Sequence, residues 1–372
     1  MVVIRVGIDG RSLRYPLTGV GRYTWELTRR LAAMDGLEVE VFAPRLPREP
    51  RRIQIVPPSA GGPRPSLFER VVWHAGSLVE TPERRALDVF WGPNHSLPKL
   101  SANTAGVVTI HDLVWWRAPA TMRRFTRHLD RFRMRAAARA ADHIVVVSEN
   151  TARDVEACFG VDPSQISVIS PGITALPDPG SKASLTDLGI TAPFVLCVGT
   201  QEPRKNHLRL IEAFQRVHAA TDAPLQLVIA GGQGWGRLDL PGAVSAAGLE
   251  ESVRLLGFVD DGLLSMLYAQ CLFVAMPSLF EGFGMPLIEA FSYDKPVLAA
   301  GNSSMPAVVG DGGVLVDPLD TSSIADGLRA LLDDQTRADF AARASERAAR
   351  YNWDHSAAAL ARTFAQLVQE RA

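Results

Sequence analysis

The chain has 372 residues, 47% of them hydrophobic, enough for two domains with cores of ordinary size. A formal net charge of −1 excludes a general polyanion binder, so no nucleic-acid partner is expected. The three cysteines, Cys158, Cys197 and Cys271, are too scattered for a metal-type spacing; Cys197 and Cys271 sit in apolar runs and read as packed thiols.

The opening residues are too short for a signal-peptide core and read as a first strand, residues 3–9. No apolar run approaches a membrane span, so a cytoplasmic protein is expected, at most peripheral to the inner face of a membrane. Asp9-Gly10-Arg11-Ser12 and Thr18-Gly19-Val20-Gly21 connect this strand to a helix over residues 21–33, and Gly19 and Gly21 would let backbone approach a ligand. A lone Gly-x-Gly is weak, because Thr24 stands where a dinucleotide fingerprint has its third glycine. Further strands are expected at residues 39–43, 89–91, 107–110, 144–148 and 167–170. Residues 44–66, rich in Pro, Gly and Arg, read as a long loop. His111 and Asp112 close the fourth of these strands, and a histidine at the carboxyl end of a parallel strand faces a ligand crevice.

A helix over residues 121–141 follows. Eight arginines lie between Arg117 and Arg139, interleaved with Phe125, Leu129 and Phe132 at helical spacing. Two readings use this stripe: apolar residues packed on the sheet, or a basic amphipathic helix resting on an anionic membrane. The halves differ in charge. Residues 1–172 hold 24 Lys and Arg against 17 Asp and Glu; residues 173–372 hold 15 against 23.

Residues 173–192, rich in Pro, Gly, Ser and Asp, read as a linker. A second strand series is expected at residues 194–199, 225–230, 253–259, 272–276, 297–299 and 314–316, and an amphipathic helix over 356–368. Short apolar runs alternating with helical patterns argue for parallel α/β sheets. After the first strand of this series, Arg204 and Lys205 place two cations in a strand-to-helix loop, suited to the charge on a diphosphate leaving group. Gly231 to Gly234, and the pair Gly257 and Val259, follow two further strands and suit a nucleobase, or serve only as turns. The segment from Pro277 to Ala290 carries Glu281 in a Gly-rich loop and Glu289 on the helix that Pro286 opens. Two carboxylates beside a helix N-terminus suit a ligand with hydroxyls and phosphate.

The string Pro-Ser-Leu-Phe-Glu-Gly-Phe-Gly-Met-Pro-Leu-Ile-Glu-Ala, with Pro-Arg-Lys-Asn and Gly-Val-Gly-Arg-Tyr, resembles the retaining GT-B glycosyltransferases of family 4, also called glycosyl transferases group 1. Bacterial polysaccharide mannosyltransferases are the nearest in pattern. The resemblance implies an α/β protein of GT-B architecture, two Rossmann-like domains facing across a cleft. An acceptor domain would cover residues 1–172 and a nucleotide-sugar domain 193–355. A C-terminal helix, 356–372, would return to the first domain.

It also implies site roles. Arg204 and Lys205 would bind the donor diphosphate, Glu281 the transferred sugar, Glu289 the ribose, and His111 sugar hydroxyls without acting as a general base. Phe283, Gly284, Met285 and Pro286 would complete the donor site, with Gly19 and Gly21 near the diphosphate and shaping the acceptor side. The partners would be a nucleotide sugar, GDP-mannose first, and a saccharide or lipid-linked saccharide. The chain has no Asp-x-Asp motif and the cation pair is present, so neither cofactor nor metal is expected. One departure stands out: Ala307 occupies a position where the family commonly has Glu. Two rival classes remain: a GT-B sugar-nucleotide epimerase, and a silent nucleotide-sugar-binding module.

Overall fold

A computed structural model describes residues 3–13, 17–42, 54–56 (backbone only), 86–178, 184–220, 223–236 and 238–371. The chain divides into two compact units. One comprises Met1–Leu113, His128–Gly172 and Asn352–Ala372; the other comprises Val114–Arg127 and Ile173–Tyr351.

The first unit is built on seven parallel strands: β1 (Ile4–Asp9), β2 (Leu37–Phe42), β3 (Gln54–Val56), β4 (Val89–Gly92), β5 (Ala105–Ile110), β6 (His143–Val146) and β7 (Ile166–Val168). Their order is β3-β2-β1-β4-β5-β6-β7. Every residue of β4 and β5 is buried, as expected of parallel strands covered on both faces. Strand β3 falls inside the expected loop 44–66; three residues of mixed polarity carry too little pattern to signal a strand, and the rest of that loop lies outside the described residues.

Helix α1 runs Gly19–Leu31, two residues earlier at each end than its pattern suggests, because Thr18 caps it by accepting from Gly21 N–H at 3.3 Å. Next come α2 (Val114–Arg117), a 3₁₀ turn at Pro119–Thr121, α3 (Arg124–Ala140) and α4 (Glu149–Phe159). The helix expected from residue 121 starts only at Arg124, because Thr121 ends the 3₁₀ turn that Pro119 opens and Met122 is extended. Ser148 caps α4, and Gly160 ends it at φ 68°.

The second unit repeats the plan with six strands: β8 (Phe194–Val198), β9 (Gln226–Ala230), β10 (Val253–Gly257), β11 (Phe273–Met276), β12 (Val297–Ala300) and β13 (Gly313–Val316), ordered β10-β9-β8-β11-β12-β13. Strand β10 stops before the expected residue 259 because its register shifts after Leu255 and Gly257 turns to φ 66°. Helices α5 (His207–His218), α6 (Leu240–Ala246), α7 (Asp261–Gln270), α8 (Met285–Phe291), α9 (Met305–Val309), α10 (Thr321–Leu332) and α11 (Asp334–Ala348) fill the connections. Leu210 and Phe214 of α5, with Ile324 and Leu328 of α10, close over Leu227 and Phe273 to make the largest buried cluster described. Each such side chain contributes roughly 1.5–3 kcal/mol by burial. Burial also pushes the thiols of Cys197 and Cys271 up to about 12, so both are inert packing residues.

Arg347 of α11 answers the question that Ala307 raises. Its guanidinium donates to the carbonyls of Ala307 and Val308 at 2.6 and 2.7 Å, so the end of α9 is held without a carboxylate at position 307. The last helix, α12 (Trp353–Arg371), belongs to the first unit. It packs along α1, Trp353 meets Tyr23 edge-on at 5.7 Å, and Arg371 binds Asp142 at 2.6 Å. Among the described residues no helix is long and apolar enough to cross a membrane.

Candidate functional site

Both sheets share the order 3-2-1-4-5-6, in which the chain reverses its winding between the first and fourth strands. Open α/β sheets bind ligands at that switch point, outside the carboxyl ends of the strands. In the second unit the switch lies between β8 and β11. The loop after β8 carries Arg204 and Lys205; the loop after β11 carries Glu281. Residues 76 positions apart in sequence therefore meet.

Glu281 is buried, with 7% of its surface accessible. Lys205 Nζ lies 2.7 Å from its Oε1, and Arg204 Nη1 lies 2.6 Å from its Oε2. Burial would raise the Glu281 pKa, but the charges of Arg204 and Lys205 prevail and hold it at about 2. The carboxylate is thus ionised at neutral pH and cannot serve as an acid. Arg204 also donates to Phe280 O at 2.8 Å and to Glu202 Oε1 at 2.6 Å. Two cations and two anions form one interlocked group, where sequence reasoning treated the cation pair and the glutamate separately.

Several residues that build this group had no role assigned from the sequence. Asn206 adopts the left-handed region at φ 62° and is buried; its side-chain amide donates to Pro277 O at 2.9 Å and Pro318 O at 2.7 Å. It ties the cation loop to the ends of β11 and β13. Asn302, Ser303 and Ser304, after β12, grip the glutamate loop. Asn302 donates to Leu279 O, Ser303 Oγ accepts from Glu281 N–H at 3.1 Å, and Ser304 Oγ donates to the carbonyls of Glu281 and Phe283, each at 2.9 Å. Short polar residues after a strand were the available signal for this loop.

Gly284 caps α8 at φ 104°, with Met285 and Pro286 as the first helical residues, both partly exposed. Phe283 packs edge-on against Tyr351 at 5.6 Å. Glu289 falls in the second turn of α8, 7% exposed, and accepts from the Tyr268 hydroxyl at 2.8 Å. Gly231 and Gly234 serve the protein's own backbone: a Cβ on Gly231 would lie 1.9 Å from Gly199 O, and one on Gly234 would lie 2.9 Å from Gln201 O. Gly257 has open space around it, and Val259 follows the exposed ring of Phe258.

In the first unit the switch lies between β1 and β4. Asp9, buried at the end of β1, binds Arg11, which also donates to Ser96 Oγ at 2.7 Å in the loop after β4. His111 follows β5 directly, and its Nε2 lies 2.8 Å from Pro93 O. A carbonyl only accepts, so Nε2 carries the proton and Nδ1 presents its lone pair. Burial lowers the His111 pKa, keeping the ring neutral. Gly19 and Gly21 lie in the first turn of α1. A Cβ on Gly21 would meet Ser12 O at 2.7 Å, so that glycine admits the chain's own backbone.

Helix α3 settles which way its stripe faces. Phe125 is 79% exposed and Phe132 74%, with Leu129 also exposed, while the helix buries Met134, Ala137 and Ala138. The sheet-packing reading of Phe125, Leu129 and Phe132 is therefore overturned: the apolar contact uses a different set of residues nearer the helix C-terminus. Among the described residues, no group of three His, Cys, Asp or Glu is arranged to hold a metal.

Residues 17–175 match the family described as Glycosyltransferase Family 4, and residues 187–350 match Glycosyl transferases group 1. The chain is 28% identical over 363 residues to the O-antigen chain mannosyltransferase B of Escherichia coli, covering 92% of this chain and 94% of that protein. Its fold is similar to sucrose-phosphate synthase from Thermosynechococcus elongatus (TM-score 0.75, 21% identity, 99% of this chain and 100% of that one). It is equally similar to WaaG, a glycosyltransferase involved in lipopolysaccharide biosynthesis (TM-score 0.75, 18% identity, 96% of this chain and 99% of that one).

Proposed function

Because the chain belongs to the family 4, group 1 glycosyltransferases of GT-B fold, we propose that it retains anomeric configuration while moving a hexose, mannose first, from a nucleoside diphosphate sugar to a saccharide or lipid-linked saccharide. The observation that carries this reading is the ionised Glu281 held between Arg204 and Lys205 at a sheet switch point.

The two cations sit where a leaving diphosphate gains charge, and such preorganised charge in a water-poor site stabilises a transition state without solvent reorganisation. Glu281 lies against both, so its carboxylate accepts from hydroxyls of the departing sugar while the cations turn toward phosphate. Glu289 takes the ribose hydroxyls. Substitution proceeds on one face of the sugar, with the leaving diphosphate accepting the acceptor's proton; no general base is required. Once turned from their carboxylates to the phosphate, Arg204 and Lys205 supply the charge a divalent metal would bring, so the reaction is metal-independent. The mannosyl assignment, with GDP-mannose as donor, is supported by the similarity to the O-antigen mannosyltransferase, and an acceptor in polysaccharide synthesis follows from the same likeness.

The exposed Phe125, Leu129 and Phe132 among the arginines of α3 support seating on an anionic membrane at the cytoplasmic face, where a lipid-linked acceptor would be met.

Calorimetry with GDP-mannose, UDP-glucose, UDP-N-acetylglucosamine and a dTDP-sugar, in EDTA, tests the donor site. One donor should bind, and Lys205→Ala should weaken it at least tenfold, roughly 1.4 kcal/mol. Strict dependence of transfer on magnesium or manganese would contradict the mechanism, and NMR of the product's anomeric proton decides retention.

A further inference from the structure

We propose that Tyr268 is a positioning residue that makes the site select ribonucleoside diphosphate sugars over their 2′-deoxy counterparts. This rests on the donor-site reading above and on Glu289 as the group that meets the ribose.

Tyr268 lies on α7 and is fully buried. Its hydroxyl donates to Glu289 Oε2 at 2.8 Å. Its ring stacks on Tyr293, centroids 5.6 Å apart and planes 18° from parallel. The Tyr293 hydroxyl in turn meets Ser265 Oγ, one turn before Tyr268 on the same helix, at 2.8 Å. The stack and the Ser265 bond leave the phenol little freedom, so its O–H is delivered to a fixed point.

A glutamate side chain has several rotatable bonds and loses entropy when held in one geometry. Accepting from two vicinal hydroxyls requires the plane of the carboxylate to be set beforehand, because groups left to rotate bind loosely. A charge-assisted bond from a rigid phenol sets that plane. A carboxylate has about four acceptor sites, so one bond from Tyr268 does not prevent it from accepting ligand hydroxyls. A site built to hydrogen-bond a hydroxyl rejects an analogue lacking it far more strongly than a hydrophobic pocket discriminates by size. The dTDP-sugars lack the 2′-hydroxyl, and this arrangement disfavours them as a class.

The test is calorimetric binding of GDP, 2′-deoxy-GDP, UDP and 2′-deoxy-UDP to wild type, Tyr268→Phe and Glu289→Gln. Wild type should bind the ribose form of its preferred base at least about tenfold tighter than the 2′-deoxy form. Tyr268→Phe keeps the stacked ring and should shrink that ratio to about threefold or less by weakening the ribose form alone; Glu289→Gln should do the same. If Tyr268→Phe weakens both forms equally, or leaves the ratio intact, the residue is merely structural and the proposal falls. A wild type that binds nucleotide without discriminating overturns this inference but leaves the donor site standing. A wild type that binds none of the four removes the donor site and this inference with it.

Discussion

Lys205 Nζ and Glu281 Oε1 stand 2.7 Å apart, although 76 positions separate them in sequence. With Arg204 on the other carboxylate oxygen and Glu202 on Arg204, the group holds equal numbers of positive and negative charges. A diphosphate arriving there meets cations already balanced. Neutralising Glu281 should therefore separate binding from chemistry. Glu281→Gln is expected to bind nucleoside diphosphate no more weakly than wild type, since one competing anion is gone, while sugar transfer falls by about 10²-fold or more. Equal losses in nucleotide affinity and turnover would show that Glu281 only props up the cations.

Acid should act on the same carboxylate. Glu281 titrates at about 2 in the folded protein against an ordinary 4.5. A depressed folded pKa means the ionised form contributes stability that is complete above 4.5 and is lost as pH falls from there through about 2. The full contribution is about 3 kcal/mol. Denaturant unfolding across that window should show wild type losing stability faster than Glu281→Gln; parallel curves would refute the linkage.

His207 predicts a second pH effect, at milder acidity. The ring is fully buried at the start of α5, and among the described residues neither nitrogen has a hydrogen-bond partner. Burial first, and Lys205 second, lower its pKa from 6.5 to about 4. The unfolded chain therefore takes up a proton that the folded one refuses. Stability should fall as pH drops from 6.5 towards 4, by up to about 1.4 kcal/mol per pH unit from this group. His207→Leu should match or exceed wild type by about 1 kcal/mol at neutral pH, because it removes unpartnered polar atoms, and the gain should widen in acid. A variant less stable than wild type at every pH would mean that the imidazole packs in a way leucine cannot copy.

Helix α3 should bind vesicles through two separable contributions. Basic residues near an anionic surface are worth about 1 kcal/mol each, so replacing Arg123, Arg124 and Arg127 by alanine should cut partitioning to anionic vesicles about a hundredfold. Phe125→Ser with Phe132→Ser should weaken binding in a salt-insensitive way, whereas the arginine contribution should fade as salt rises. Sedimentation with vesicles at low and high salt reads both. Unchanged binding by both variants would remove the membrane assignment.

Much of this architecture was legible in the sequence because parallel strands buried on both faces are written as apolar runs. The runs around Val107 and Val274 both predicted strands. The site's charged residues were legible because Arg204, Lys205, Glu281 and Glu289 sit in loops and helix starts with marked composition. What escaped was long-range. Asn206 closes the Pro-Arg-Lys-Asn string, but nothing in that string says that its amide bonds Pro277 and Pro318. Ser303 and Ser304 act through single hydroxyls on backbone groups some twenty residues earlier in the chain, which no local pattern encodes. The stripe on α3 left two readings open for another reason: periodicity gives a face its apolar character but does not say what covers it.

The first unit is discontinuous in the chain, and this sets an order of events at synthesis. Helix α12 is made after the whole second unit, yet Trp353 meets Tyr23 edge-on, and Arg30 reaches Asp354 at 2.5 Å across 324 positions. A ribosome therefore releases a second unit able to close on itself while the first still waits for its final piece. Until then the face of α1 that receives Trp353 stands open to water and to other nascent chains. Helix α12 acts as a timer on maturation: a stop before Trp353 that spares every charged residue of the site would still leave the older half of the protein unfinished and prone to aggregate.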